Sequence, residues 1–189
     1  SSAAMRSTDD AATFSAVTIS HAAVIRYLTN DGASGGTAIW LGVINATTVL
    51  KSTDDGATWS TGTALSWTAQ NINFGGTYFV VTSTSSTYQF AYSTNGTSWT
   101  YKPYPLPITA SGMAYSDGYW YFIPGGAAGA GLYRTADITA TVIEWEAIPV
   151  AGGSAFPSSG GATAGRFSGA NYFSLNGGTN CQPAIKLTI

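Results

Sequence analysis

The chain has 189 residues, seven basic against nine acidic, and a formal charge of −2; 8% of its residues are charged and 13% aromatic, and 23 are glycine. That length suits one domain with its own core, and the scarcity of Glu, Lys, Arg and Gln leaves too little polar surface for several solvent-facing helices, so an all-β class is expected. The basic residues, Arg6, Arg26, Lys51, Lys102, Arg134, Arg166 and Lys186, are scattered singly, which argues against a phosphate-binding stripe and a nucleic-acid partner.

The sequence opens on Ser1 rather than Met, as expected of a processed chain or a piece of a longer one, and its first residues lack a hydrophobic signal core. A short motif follows at once, Ser7-Thr8-Asp9-Asp10-Ala11-Ala12-Thr13-Phe14, and it returns as Ser52-Thr53-Asp54-Asp55-Gly56-Ala57-Thr58-Trp59 with six of eight positions identical. Between them, Val24–Leu28 and Ala38–Leu41 read as strands separated by an inserted loop, Thr29–Thr37. The strongly apolar stretch Ala38–Ile44 is far too short for a helix to cross a bilayer, so no membrane insertion is expected.

Further on, Asn73–Val80 and Tyr115–Phe122 each read as strand, tight turn and aromatic strand, and Phe167–Phe173 repeats the pattern. A third copy of the motif ends at Gly96 and Trp99, with Thr94 standing where the first Asp is expected; a fourth, degenerate copy runs from Arg134 to Trp145. The steps from Phe14 to Trp59, Trp99 and Trp145 are 45, 40 and 46 residues, the length of a four-stranded blade. The lone Cys181 allows neither an intrachain disulfide nor a thiolate metal cluster, so neither metal nor cofactor is expected.

Residues 52–59 fit Ser-x-Asp-x-Gly-x-Thr-Trp, and the repeats as a group resemble the Asp-box, or bacterial neuraminidase repeat, of the sialidase-like β-propellers. The resemblance implies structural roles for Ser7, Asp9, Phe14, Ser52, Asp54, Gly56, Trp59, Gly96 and Trp99. A short acceptor holds turn amides, Gly adopts positive φ, and an aromatic clamps the returning strand. The expected fold is a propeller of antiparallel four-stranded blades, with units at about 16–65, 66–107 and 108–150. Residues 155–189 and 1–14 are expected to share a fourth, closing blade, which requires a loop over Pro149–Gly161. A share in a larger ring or an oligomer is the alternative.

Sialidase chemistry needs an Arg cluster and paired carboxylates, and the family's Arg triad has no counterpart here. Asp9, Asp10, Asp54, Asp55 and Asp117 fall in turns, which leaves Glu144 and Glu146 flanking Trp145. No catalytic residue is therefore assigned. His21 has no sequence neighbour with which to build a triad. Candidate ligand contacts are Arg26 and Arg166, placed in first strands that line a propeller's channel, and the aromatics Trp40 and Trp120. The expected function is a non-enzymatic structural or adhesion module of a virion, such as a bacteriophage tail, fibre or decoration protein. It would be extracellular or virion-borne and an oligomer or assembly component, contacting proteins or surface glycans. A lectin-like carbohydrate-binding propeller is the alternative, with a sialidase-like glycoside hydrolase ranked below it.

Overall fold

The computed structural model describes residues 3–19, 24–33, 37–44, 46–83, 89–107, 110–124 and 132–148, and the backbone of 164–167, 172–176 and 185–186. The expected loop over Pro149–Gly161, His21 and Cys181 lie outside the described residues.

Every regular element among the described residues is a strand. β1 (Ala3–Arg6) and β2 (Ser15–Thr18) form a two-stranded hairpin. Three antiparallel four-stranded sheets follow in strict chain order. The first holds β3 (Tyr27–Asn30), β4 (Trp40–Val43), β5 (Thr48–Ser52) and β6 (Ser60–Ala64). The second holds β7 (Ala69–Gly75), β8 (Tyr78–Ser83), β9 (Gln89–Ser93) and β10 (Thr100–Pro103). The third holds β11 (Ala110–Ser116), β12 (Tyr119–Pro124), β13 (Leu132–Thr135) and β14 (Glu146–Ile148). A three-stranded sheet of β15 (Ala164–Phe167), β16 (Tyr172–Asn176) and β17 (Ile185–Lys186) ends the chain.

Each meander is set by local turn chemistry. At the β11–β12 hairpin, Asp117 and Gly118 have φ of 49° and 83°, the paired left-handed residues of a two-residue turn that matches strand twist. The first strands β3, β7, β11 and β15 pack side by side in that order, and the sheets fan outward from them. Gly75 at the end of β7 lies so close to Tyr115 of β11 that a Cβ there would overlap the tyrosine side chain.

The core lies between the sheets, because both faces of a blade are covered. Leu41, Val43 and Val49 of the first blade pack on Trp67, Ile72, Phe79 and Val81 of the second. Val80 and Phe90, from the opposite face of that second blade, pack on Met113, Trp120 and Phe122 of the third. Alternation along β8 therefore sends apolar residues in both directions, which explains its nearly unbroken hydrophobic run. Buried Tyr104 closes this layer: its hydroxyl accepts from the Ser83 amide at 2.8 Å.

Two details differ from the sequence expectation. β2 pairs with β1 from Ala3↔Thr18 to Arg6↔Ser15, so the strand after the first motif belongs to the N-terminal sheet and not to the unit placed at 16–65. The terminal strands also form two separate sheets. Among the described residues β1–β2 and β15–β17 share no ladder, and β16 pairs instead with β17 through Tyr172↔Lys186 and Phe173↔Ile185.

Candidate functional site

Three motif copies occupy the turn from the third to the fourth strand of a four-stranded sheet, and the first joins the two strands of the β1–β2 hairpin. In the copy at 52–59, Ser52 Oγ donates to Asp54 Oδ1 at 2.7 Å and accepts from the Gly56 amide at 2.9 Å. The Thr58 amide and hydroxyl donate to the two Asp54 oxygens at 2.9 and 2.6 Å, and Trp59 Nε1 donates to the Gly56 carbonyl at 3.0 Å. The first copy repeats the pattern: Thr13 donates twice to Asp9, at 2.9 and 2.6 Å, and the Ala11 amide donates to Ser7 Oγ at 2.9 Å. Hydrogen bonds from threonine hydroxyls and amides hold the carboxylates of Asp9 and Asp54 at a pKa of about 2.

The third copy corrects the alignment. Asn95, not Thr94, takes the place of the Asp, accepting from the Thr97 and Ser98 amides at 2.8 and 3.0 Å in a turn one residue shorter. Gly96 has a φ of 70°, as the tighter turn demands. In the fourth copy Asp137 accepts from the Thr139 amide and hydroxyl at 2.7 and 2.6 Å. These turns also join the blades, since Lys51 donates to the Asn95 carbonyl at 2.7 Å and Lys102 to the Ala140 carbonyl at 2.6 Å.

The aromatic clamp is uneven. Trp59 is 9% exposed, buried beneath Val17 and Ile19 of the preceding hairpin, whereas Phe14 at the same motif position is 56% exposed. Among the described residues no sheet precedes the first hairpin to cover Phe14, and phenylalanine has no N–H with which to bond the turn.

A cleft of about 690 Å³ lies between the first hairpin and the first blade. It is lined by Met5 and Arg6 of β1, Ile25 and Arg26 just before β3, Leu28 of β3, Trp40 of β4, and Asp55 and Trp59 of the second motif. β1 and β2 flank a motif turn, as the third and fourth strands of each four-stranded sheet do, and among the described residues β1 has no ladder partner other than β2. Met5 and Leu28 are 61% and 50% exposed.

Of the candidate ligand contacts, Arg26 and Trp40 meet in this cleft, joined by Arg6. Trp120 does not. It is 2% exposed and packs on Tyr115 at a ring distance of 5.3 Å, because neighbouring blades cover both faces of its sheet; this corrects the expectation that it reaches a ligand. Arg166 lies on β15, and its side chain is outside the described residues. Arg6, Met5 and Leu28 went unselected in the sequence. The clue to them was a motif at the N-terminus with no strand pair in front of it.

A second hollow, of about 500 Å³, contains Glu144, Trp145 and Glu146 with Tyr119 and Asp137. Glu146 accepts from Arg134 Nε at 2.7 Å, and the same guanidinium lies 4.5 Å from the Tyr119 ring centre.

No protein-family model and no curated protein matches the sequence. Among solved structures, 93% of the chain superposes on YCF48 bound to D1 peptide (TM-score 0.62, 15% identity) and on YCF48 from Cyanidioschyzon merolae (TM-score 0.63, 12% identity). The same share superposes on the computationally designed Ika8 protein at TM-score 0.53 and 14% identity. The chain spans 55%, 61% and 50% of those three chains. The fold is thus that of a β-propeller, with radiating antiparallel four-stranded sheets.

Proposed function

We propose that this chain is a non-enzymatic structural module of the Asp-box propeller type, which enters a larger assembly by taking a protein segment into the cleft beside β1. A virion component, such as a phage tail, fibre or decoration protein, is the assembly this reading favours. The observation that carries it is the cleft itself: among the described residues β1 has no ladder partner other than β2, and Met5 and Leu28 stand exposed beside it. Such an edge accepts an added strand through main-chain hydrogen bonds, while pockets for alternate side chains supply selectivity.

The hydrogen-bonded turns at 7–14 and 52–59 support Asp-box membership, and they engage Asp9 and Asp54 structurally. A neighbour of the same fold, YCF48, was solved with a bound peptide, which is consistent with protein partners for this scaffold. The completed ring in this reading contains a shared blade to which β1 and β2 contribute.

The test is a Met5→Lys/Leu28→Lys variant, which charges two exposed cleft positions without touching the core. It is expected to keep its near-ultraviolet circular dichroism and to lose incorporation into the assembly. Undiminished incorporation, or turnover of an aryl glycoside by the parent chain, would sink the proposal.

A further inference from the structure

The third motif turn holds the pair Asn95-Gly96, in which a side-chain amide precedes a residue with no Cβ to shield its backbone nitrogen. In such a pair the glycine nitrogen can attack the asparagine Cγ. A bond from that nitrogen to Cγ forms, the Cγ–Nδ2 bond breaks, and ammonia leaves with the proton that the glycine amide gives up. Water then opens the resulting cyclic imide. Addition at Cγ gives aspartate; addition at the main-chain carbonyl carbon gives isoaspartate, in which the main chain runs through Cβ and Cγ. Water is the only co-reactant, and nothing is oxidised or reduced. We infer that Asn95 is a deamidation site gated by its own turn, intact while the turn is closed and converted when it opens.

The closed turn restrains both reacting groups. The Gly96 amide donates to Ser93 Oγ at 2.9 Å, so the proton that must leave is held in a buried hydrogen bond. Asn95 Oδ1 accepts from the Thr97 amide and hydroxyl, each at 2.8 Å, from the Ser98 amide at 3.0 Å and from Ser93 Oγ at 3.1 Å. These donors polarise the carbonyl, which favours attack, but they also fix the side chain, and the rotation that brings Cγ onto the Gly96 nitrogen breaks them. Gly96 cannot move instead. Its φ is 70°, and a Cβ built on it would lie 2.5 Å from Leu41 Cδ2, so its backbone is wedged against the core of the first blade.

The two products act oppositely on the joint between blades. Aspartate is what the turn at 52–59 already carries, with the Thr58 amide on Asp54 Oδ1 at 2.9 Å and the Thr58 hydroxyl on Oδ2 at 2.6 Å. A carboxylate at position 95 brings a second oxygen to donors that now share one, and it stands in the turn whose main-chain carbonyl Lys51 Nζ reaches at 2.7 Å. That form closes again. Isoaspartate adds a carbon to the main chain directly before Gly96, where Leu41 leaves no room. It therefore forces Gly96 off Leu41 and carries the Asn95 carbonyl away from Lys51, which loosens the contact between the first and second blades.

The experiment is peptide mapping by mass spectrometry of the full chain aged in mildly alkaline buffer, folded or unfolded in guanidinium chloride, with the Asn95 peptide read separately from that of Asn176-Gly177, the other such pair in the sequence. Conversion at Asn95 is expected to be at least about tenfold slower in the folded chain, in step with the slowing of hydrogen exchange at the Gly96 amide. Ser93→Ala, which frees that amide, should raise the folded-state rate several-fold; Thr97→Ala, a milder change at an exposed residue, should raise it less, with native near-ultraviolet circular dichroism. Equal rates in the folded and unfolded chain overturn the inference, as does an Asn95 that stays unconverted in the unfolded chain. A Thr97→Ala or Ser93→Ala chain whose Gly96 amide exchanges faster while its deamidation stays at the parent rate overturns it too. Separated by ion exchange, the isoaspartate form should show fast exchange at Gly96 and the Asn95→Asp variant slow exchange; the reverse order refutes the assignment of the two products.

Discussion

Ala11 and Gly56 hold the same place in two motif turns, with φ of 68° and 79°. Left-handed backbone costs an L-residue with a Cβ about 1–2 kcal/mol, whereas glycine adopts it freely. A Cβ built on Gly56 would meet Trp59 Cζ2 at 3.6 Å, an ordinary contact, so Gly56→Ala introduces backbone strain without a clash. Alanine also reduces unfolded-state entropy, which returns about 0.4–1 kcal/mol, and the net cost is about 1 kcal/mol. For a domain of this size that corresponds to a melting point lower by about 2–4 °C. Ala11→Gly should gain a similar amount. Because Ala11 sits in an exposed hairpin that can open locally, the readout there is hydrogen exchange at the Ala11 and Thr13 amides, slowed by about fivefold. An unchanged melting point for Gly56→Ala, or faster exchange in Ala11→Gly, would refute the claim that the turns at 7–14 and 52–59 require a left-handed residue at this place.

Two further outcomes follow from burial and charge. Trp120→Ala should cost about 3–5 kcal/mol in a urea titration, as expected for emptying a packed aromatic site, whereas Leu28→Ala on the open cleft wall should stay below about 1 kcal/mol; equal losses would show that the two sites are not differently covered. Asp9 and Asp54 titrate at about 2 in the folded chain against an ordinary 3.8, so the stability they contribute is complete above 3.8 and is lost as pH falls from there through 2. Urea midpoints should drop across that window and less steeply in Asp54→Asn; parallel slopes in parent and variant would contradict the assignment.

Much of the architecture was legible because it is written locally. The motif at 52–59 carries its own hydrogen-bonding logic, and spacings of 45, 40 and 46 residues set the blade repeat. The third motif was misaligned by one residue because Asn95 can replace an aspartate as acceptor while the turn shortens, a change that residue identity alone does not mark. Trp120 was read as accessible because alternation along one strand usually leaves one face in solvent; blades stacked face to face bury both. The cleft was hidden for a different reason. Arg6, Arg26 and Trp40 are brought together by the packing of a hairpin on a sheet, and no local pattern links them.

The row of first strands, β3 to β7 to β11 to β15, makes this chain behave as a one-dimensional array. Each blade is stabilised by its own folding and by the neighbours it touches, so the free energy is close to a sum of unit and interface contributions. The second blade, packed against the first on one face and the third on the other, should retain structure longest. Adding or deleting one blade changes the sum by one unit and one interface, which gives lineages built on this pattern a simple way to alter the size of the arc without redesigning its core.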